Sequence, residues 1–123
     1  MNSKTYELHG LRVLECTADG PVLRTVGDAL AVLAEAMQHD AGFIVLPSAR
    51  LDPGFFQLRT GLAGEIVQKF VNYRRRLAIL GDFSELTAES KSLRDFIYES
   101  NRGNALWFLS DIAEVERRLA SAG

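Results

Sequence analysis

Two stretches of this chain hold residue types from which a site could be built. The first is Gly81-Asp82-Phe83-Ser84, which follows the apolar run Leu77-Ala78-Ile79-Leu80. In open α/β sheets, ligands bind beyond the carboxyl ends of the parallel strands. That rule makes Asp82 and Ser84, with Ser48 and Ser110 after neighbouring apolar runs, the geometric candidates. Each also has a purely structural role to fill: Ser110 as a helix N-cap, Asp82 as a turn residue bonding its own backbone. No histidine stands near these serines in sequence, so a nucleophile–base pair has no support. His9 and His39 fall at a hairpin turn and a helix end, both surface positions.

The second stretch is the helix expected over Gly61–Tyr73. At 100° per residue, Leu62, Ala63, Ile66, Val67, Phe70 and Val71 cover half of its circumference. Gly61, Gly64, Glu65, Gln68, Lys69 and Asn72 cover the other half. Glycine within a helix costs about 1 kcal/mol against alanine. Gly64 on the polar side is therefore either a tolerated surface glycine, a point of close packing, or the floor of a shallow groove. Thr60-Gly61 at the helix start, helped by Arg59, offers backbone N–H groups to an anion. There is no GxxxxGK[ST], GxGxxG, HExxH or CxxC. Arg74-Arg75-Arg76 reads as basic residues complementing the helix C-terminal dipole, in preference to a phosphate-binding cluster.

The elements that position these residues follow from apolar spacing. Tyr6 and Leu8, then His9-Gly10, then Leu11, Val13, Leu14 and Cys16 read as a β-hairpin with one wet face. Thr25, with Asp28 three residues on, resembles a capping box ahead of the stripe Val26, Ala29, Leu30, Leu33, Met37, and Gly42 reads as its end. Phe43-Ile44-Val45-Leu46, Leu77–Leu80 and Ala105–Leu109 are strands apolar on both sides, the mark of a sheet covered on both faces. Asp52-Pro53 looks like an N-cap with proline at the first helical position. Ser90 or Ser92 caps a helix through Leu93, Phe96 and Ile97. Asn101 reads as its C-cap, and Ser110-Asp111 opens a last helix. The expected architecture is α/β: a five-stranded mixed sheet, made of an N-terminal hairpin plus βα units, with about four helices in the order β-β-α-β-α-β-α-β-α. It forms one domain over residues 1–123.

Composition narrows the function classes. A hydrophobic share of 47% with 24% charged residues is an ordinary globular mixture and argues against long disorder. A net charge of −2 gives no basic surplus for nucleic acid or an anionic membrane. The single cysteine, Cys16, excludes an internal disulfide and a cysteine metal cluster, so no metal or cofactor is expected. The start MNSKTYELHG lacks a signal-peptide pattern, which points to the cytoplasm.

The segments TGLAGEIVQKFVNYRRRLAILGDFS and SLRDFIYESNRG resemble a bacterial family known as domain of unknown function 4180. The resemblance runs from KTYELHG to the last helix and implies no assigned activity. The order of elements is also similar to sulfate-transporter and anti-sigma-antagonist (STAS) domains. Those carry a DSSG-like motif with a phosphorylatable residue. Here the corresponding stretch is LPSARLDPGFF, where Ser48 stands without the motif.

Two function classes follow. One is a non-catalytic binding or regulatory module that meets a protein partner or a second copy of itself. The other is a small enzyme or small-ligand receptor with a polar site between the Gly61–Asn72 helix and the Gly81–Ser84 turn.

Overall fold

The computed structural model describes residues 3–122. Strands β1 (Ser3–Leu8) and β2 (Leu11–Cys16) form the hairpin. Its turn residues His9 and Gly10 have φ of +49° and +83°. Both lie in the left-handed region that a two-residue hairpin turn requires, and glycine meets that requirement at no steric cost. The chain then runs through α1 (Val26–Gln38), β3 (Phe43–Pro47), α2 (Leu62–Asn72), β4 (Arg76–Leu80), α3 (Ser84–Glu89), α4 (Lys91–Arg102), β5 (Leu106–Leu109) and α5 (Ile112–Ala122). Three 3-10 turns, Ser48–Arg50, Pro53–Phe56 and Leu58–Thr60, fill the path between β3 and α2.

The five strands lie side by side in chain order, β1 antiparallel to β2 and the other pairs parallel. Every parallel crossover thus steps one strand in the same direction. Crossovers of one hand that all step the same way put their helices on one face. The core shows this. Leu14, Ile44, Leu46, Leu77, Ile79, Leu106 and Phe108 pack with α1, α2 and the Phe55 turn, and with Phe96 and Ile97 of α4. The opposite face carries Val13, Phe43, Val45, Ala78, Trp107 and Leu109 under Val115 and Leu119 of α5. Both faces are covered, as the apolar strands imply.

The capping box of α1 forms as expected. The Thr25 hydroxyl accepts from Asp28 N at 3.2 Å, and the Asp28 carboxylate accepts from Thr25 N at 3.1 Å and Arg24 N at 2.8 Å. These bonds, that from Arg24 first, hold the Asp28 carboxyl below its ordinary range. Gly42 does not end this helix. The helix stops at Gln38, His39 caps it, and Asp40 turns the chain with φ +55°. Aspartate enters the left-handed region more readily than most residues, so the glycine was not needed. Helix α3 is an element that apolar spacing did not reveal.

Asn101 is not a C-cap. It lies inside α4, and its amide pairs with the outer edge of β5: Nδ2 donates to Phe108 O at 3.1 Å and Oδ1 accepts from Phe108 N at 2.7 Å. One side chain thereby stands in for a missing neighbour strand. The buried Arg50 does similar work between loops. Its Nε donates to Pro21 O at 2.6 Å and its Nη1 to Thr17 O at 2.9 Å, tying the segment after β2 to the one after β3.

Candidate functional site

At the carboxyl ends of the strands, the polar side chains are engaged with their own neighbourhood. Asp82 Oδ1 accepts from Ser84 N at 3.0 Å and from Ser84 Oγ at 2.7 Å, which starts α3. The Ser84 hydroxyl, then its N–H, hold the Asp82 carboxyl below its ordinary range. Glu114 reaches back to Ser110 N at 2.7 Å and Ser110 Oγ at 2.8 Å, and Asp111 caps Glu114 N at 3.0 Å. The Ser110 N–H is the main reason that the Glu114 carboxyl is lowered too. Ser48 is pressed against Gly81: a methyl group there would stand 2.3 Å from Ser48 Oγ. This end of the sheet is a set of helix caps and a tight crossing of two loops.

The polar half of α2 is divided among different surroundings. Gly64, Glu65 and Gln68, with Val26 and Lys69, line a cleft of about 500 Å³ between α2 and the start of α1. Gly64 is exposed, and a Cβ added to it would meet nothing within 4 Å. Close packing within the chain therefore does not explain this glycine. Gln68 Nε2 donates to Asn72 Oδ1 at 2.8 Å, one turn further along. Thr60 Oγ1 lies 2.9 Å from both Gly54 O and Gln57 O and accepts from Leu62 N at 3.2 Å, so it serves the start of α2. Gly61 makes the junction with φ +80°. Arg59 stands in a different cleft, with Phe56, Leu58, Leu86 and Glu89. The structure brings Gly64, Glu65 and Gln68 together and sets Asp82 and Ser84 at the head of α3.

A third place lies at the amino ends of the strands, beside Arg74-Arg75-Arg76. Helix α2 ends at Asn72, and of the three arginines Arg75 serves that end, its Nη1 donating to the C-cap carbonyl Tyr73 O at 3.3 Å; Arg74 turns the chain with φ +57°, and Arg76 is the first residue of β4. Strand alternation then carries Arg76 to the α5 face. Its guanidinium carbon lies 4.9 Å from the Trp107 ring centroid and 5.3 Å from that of Phe43. Arg118 of α5 lies 4.5 Å from the same indole. Cation–π contact favours each placement. Main-chain carbonyls fix both groups: Arg76 Nε donates to Asn104 O at 2.7 Å, and Arg118 Nη2 donates to Asn101 O. Trp107 Nε1 donates to Gly103 O at 2.7 Å.

Beside this stack, Arg102, Arg117, Arg118, Asn104 and Ser121 line a cleft of about 480 Å³ with Trp107. Arg102 and Arg117 have exposed carboxylate partners, Glu99 at 3.5 Å and Glu114 at 4.0 Å. Such pairs are worth about 0–1 kcal/mol. Among the described residues, Arg76 and Arg118 have no carboxylate within ion-pairing distance. Burial lowers the Arg76 pKa from its ordinary value, although an arginine stays charged. Arg76 Nη2 and Arg75 Nε are buried and meet no acceptor among the described residues. A buried donor left so costs about 1–3 kcal/mol. Chemically, the arrangement can hold an anion. Of the guanidiniums lining the cleft, that of Arg118 is pre-set by the indole and a backbone carbonyl, and those of Arg102 and Arg117 have only weak exposed carboxylate partners.

Among the described residues, no group of three or more His, Cys, Asp or Glu could hold a metal ion, and no helix is long and apolar enough to cross a membrane. Cys16 is buried, and burial pushes its thiol pKa up.

No curated protein and no solved structure matches this chain. A family model does match, over residues 8–119, the span that holds strands β2 to β5, the α2 cleft and most of the arginine cleft. The chain belongs to that family, described as Domain of unknown function (DUF4180).

Proposed function

We propose that this domain is a non-catalytic binding module of the cytoplasm whose ligand presents negative charge to the arginine cleft beside Trp107. One observation carries the reading. Arg76 and Arg118 are held on one indole, Arg102 and Arg117 stand at the same cleft, and the carboxylates nearby form only weak exposed pairs. Like charges are gathered here with only the exposed carboxylates of Glu99 and Glu114 as ion-pair partners among the described residues, in a protein of net charge −2. An anion from outside supplies the missing partner. The polar residues at the carboxyl ends support the same reading, since their bonds are spent on helix starts.

Thermal unfolding tests it. Millimolar sulfate, compared with chloride at equal ionic strength, is expected to raise the melting temperature. A site-bound ligand at ten times its Kd adds about 1.4 kcal/mol. The double variant R102A/R117A removes exposed side chains and is expected to abolish the increment. An increment absent from the unsubstituted protein, or unchanged in the variant, contradicts the reading.

A second reading rests on the α2 cleft at Gly64, Glu65 and Gln68, which suits a small polar ligand laid against exposed backbone. Gly64→Leu would fill that cleft, and retention of all binding in this variant would remove the reading.

A further inference from the structure

We infer that the occupant of the arginine cleft is a terminal phosphate monoester, not a single carboxylate and not the backbone of a long polyanion. The inference rests on the anion-binding reading above and names the chemistry of its ligand.

Three guanidiniums from two elements open on one cleft: Arg102 at the end of α4, and Arg117 and Arg118 on α5. A carboxylate has two oxygens in one plane and matches one guanidinium fork. A monoester phosphate presents three terminal oxygens and nearly two negative charges near neutral pH. It can therefore engage three forks that approach from different elements. The positive charge does not end with these three. Arg76 lies 4.9 Å and Arg118 4.5 Å from the same ring centroid. Their separation is therefore within the Debye length of about 10 Å at 0.1 M ionic strength.

The surroundings select a terminal group over a polymer. Trp107 is buried at 2% exposure, so it offers no open platform on which bases could stack. Glu99 and Glu114 stand directly beside Arg102 and Arg117. A single phosphate can displace these weak exposed partners. A chain of phosphates running out of the cleft meets them as like charges. The open side of the cleft leaves room for the rest of the molecule, whether that is a small metabolite or a phosphorylated side chain.

Isothermal titration calorimetry on the intact chain tests this with four probes: glycerol 3-phosphate, a short phosphoserine peptide, acetate, and a twelve-nucleotide single-stranded DNA. The expected result is saturable one-to-one binding of a monoester at least tenfold tighter than acetate or DNA. R102A and R117A are each expected to weaken that binding about tenfold. R118K, which keeps the charge and loses the fork, is expected to weaken it as well. If R118K fails to fold, the first two variants carry the test, because the side chains they remove are exposed. A clear preference for glycerol 3-phosphate over the peptide assigns a small-molecule ligand. A clear preference for the peptide assigns a phosphorylated protein. Acetate or DNA binding as tightly as the monoesters overturns the monoester inference and leaves the anion reading standing. Binding of none of the four overturns both.

Discussion

The two ends of the sheet use polar residues in opposite ways. At the carboxyl ends, Asp82 meets Ser84 and Glu114 meets Ser110, each pair two to four residues apart and closed by bonds of 2.7–3.0 Å. At the amino ends, Arg76 and Arg118 come from distant parts of the chain and meet an aromatic ring and two carbonyls. The first arrangement satisfies its charges locally and starts helices. The second positions charge without neutralising it. Capacity for a ligand follows from that difference more than from the general rule that favours carboxyl ends.

The largest effect is expected at Trp107. Trp107→Ala is expected to cost about 3–5 kcal/mol in a denaturant titration. Phe70→Ala should cost a similar amount, since Phe70 is 1% exposed in the other core layer. The two should part in binding: a folded Phe70→Ala population keeps its anion affinity, and Trp107→Ala loses it. Equal binding by both variants would mean that the indole does not organise the arginines.

At the other end, Gly81→Ala drives a methyl group into Ser48 and is expected to cost about 1–3 kcal/mol with anion affinity unchanged. Adding Ser48→Ala should return part of the loss, because the 2.3 Å contact is with the hydroxyl. Full additivity in that double-variant cycle would contradict the packing.

Asp82 gives a smaller effect with a defined sign. Its folded pKa lies below its ordinary value, so its contribution is present above the unfolded pKa, near 4, and is lost as pH falls through the folded value. Asp82→Asn is therefore expected to lower the melting temperature at pH 7 and to converge with the unsubstituted protein in acid. A difference that widens below pH 4 would give the opposite sign.

The smallest effect is a gain. Gly64→Ala is expected to stabilise by about 0.5–1 kcal/mol, because the added Cβ meets nothing and the unfolded chain loses freedom. It should leave anion binding unchanged. A loss of stability would show that something in the native state needs that glycine.

Much of the fold could be read in the sequence because each element states its own period. The apolar runs at Phe43, Leu77 and Leu106 became β3, β4 and β5, and Thr25 with Asp28 capped α1. Helix α3, with sequence SELTAE, is six residues long with no buried side chain, so it has no apolar stripe to read. Asn101 was misread because a C-cap depends on local sequence, whereas its true partner is the edge of a strand formed later in the chain. The arginine cleft was hidden for the same reason. Nothing local to Arg74-Arg75-Arg76 shows that Arg76 opens β4 and shares a sheet face with Trp107. A usable signal was there: residues 76, 78 and 80 alternate against 77 and 79, so placing Leu77 and Ile79 in one core layer turns Arg76 toward the other.

The chain has one tryptophan, and it is the residue on which Arg76 and Arg118 stack. Its fluorescence therefore reports on the candidate site without a label. The most direct measurement is a titration of inorganic phosphate at constant ionic strength with Trp107 emission as the readout. Phosphate is expected to give a saturable change that Arg102→Ala/Arg117→Ala shifts to higher phosphate and Asp82→Asn leaves in place. Emission that stays flat, or that responds to phosphate and chloride alike, would contradict it.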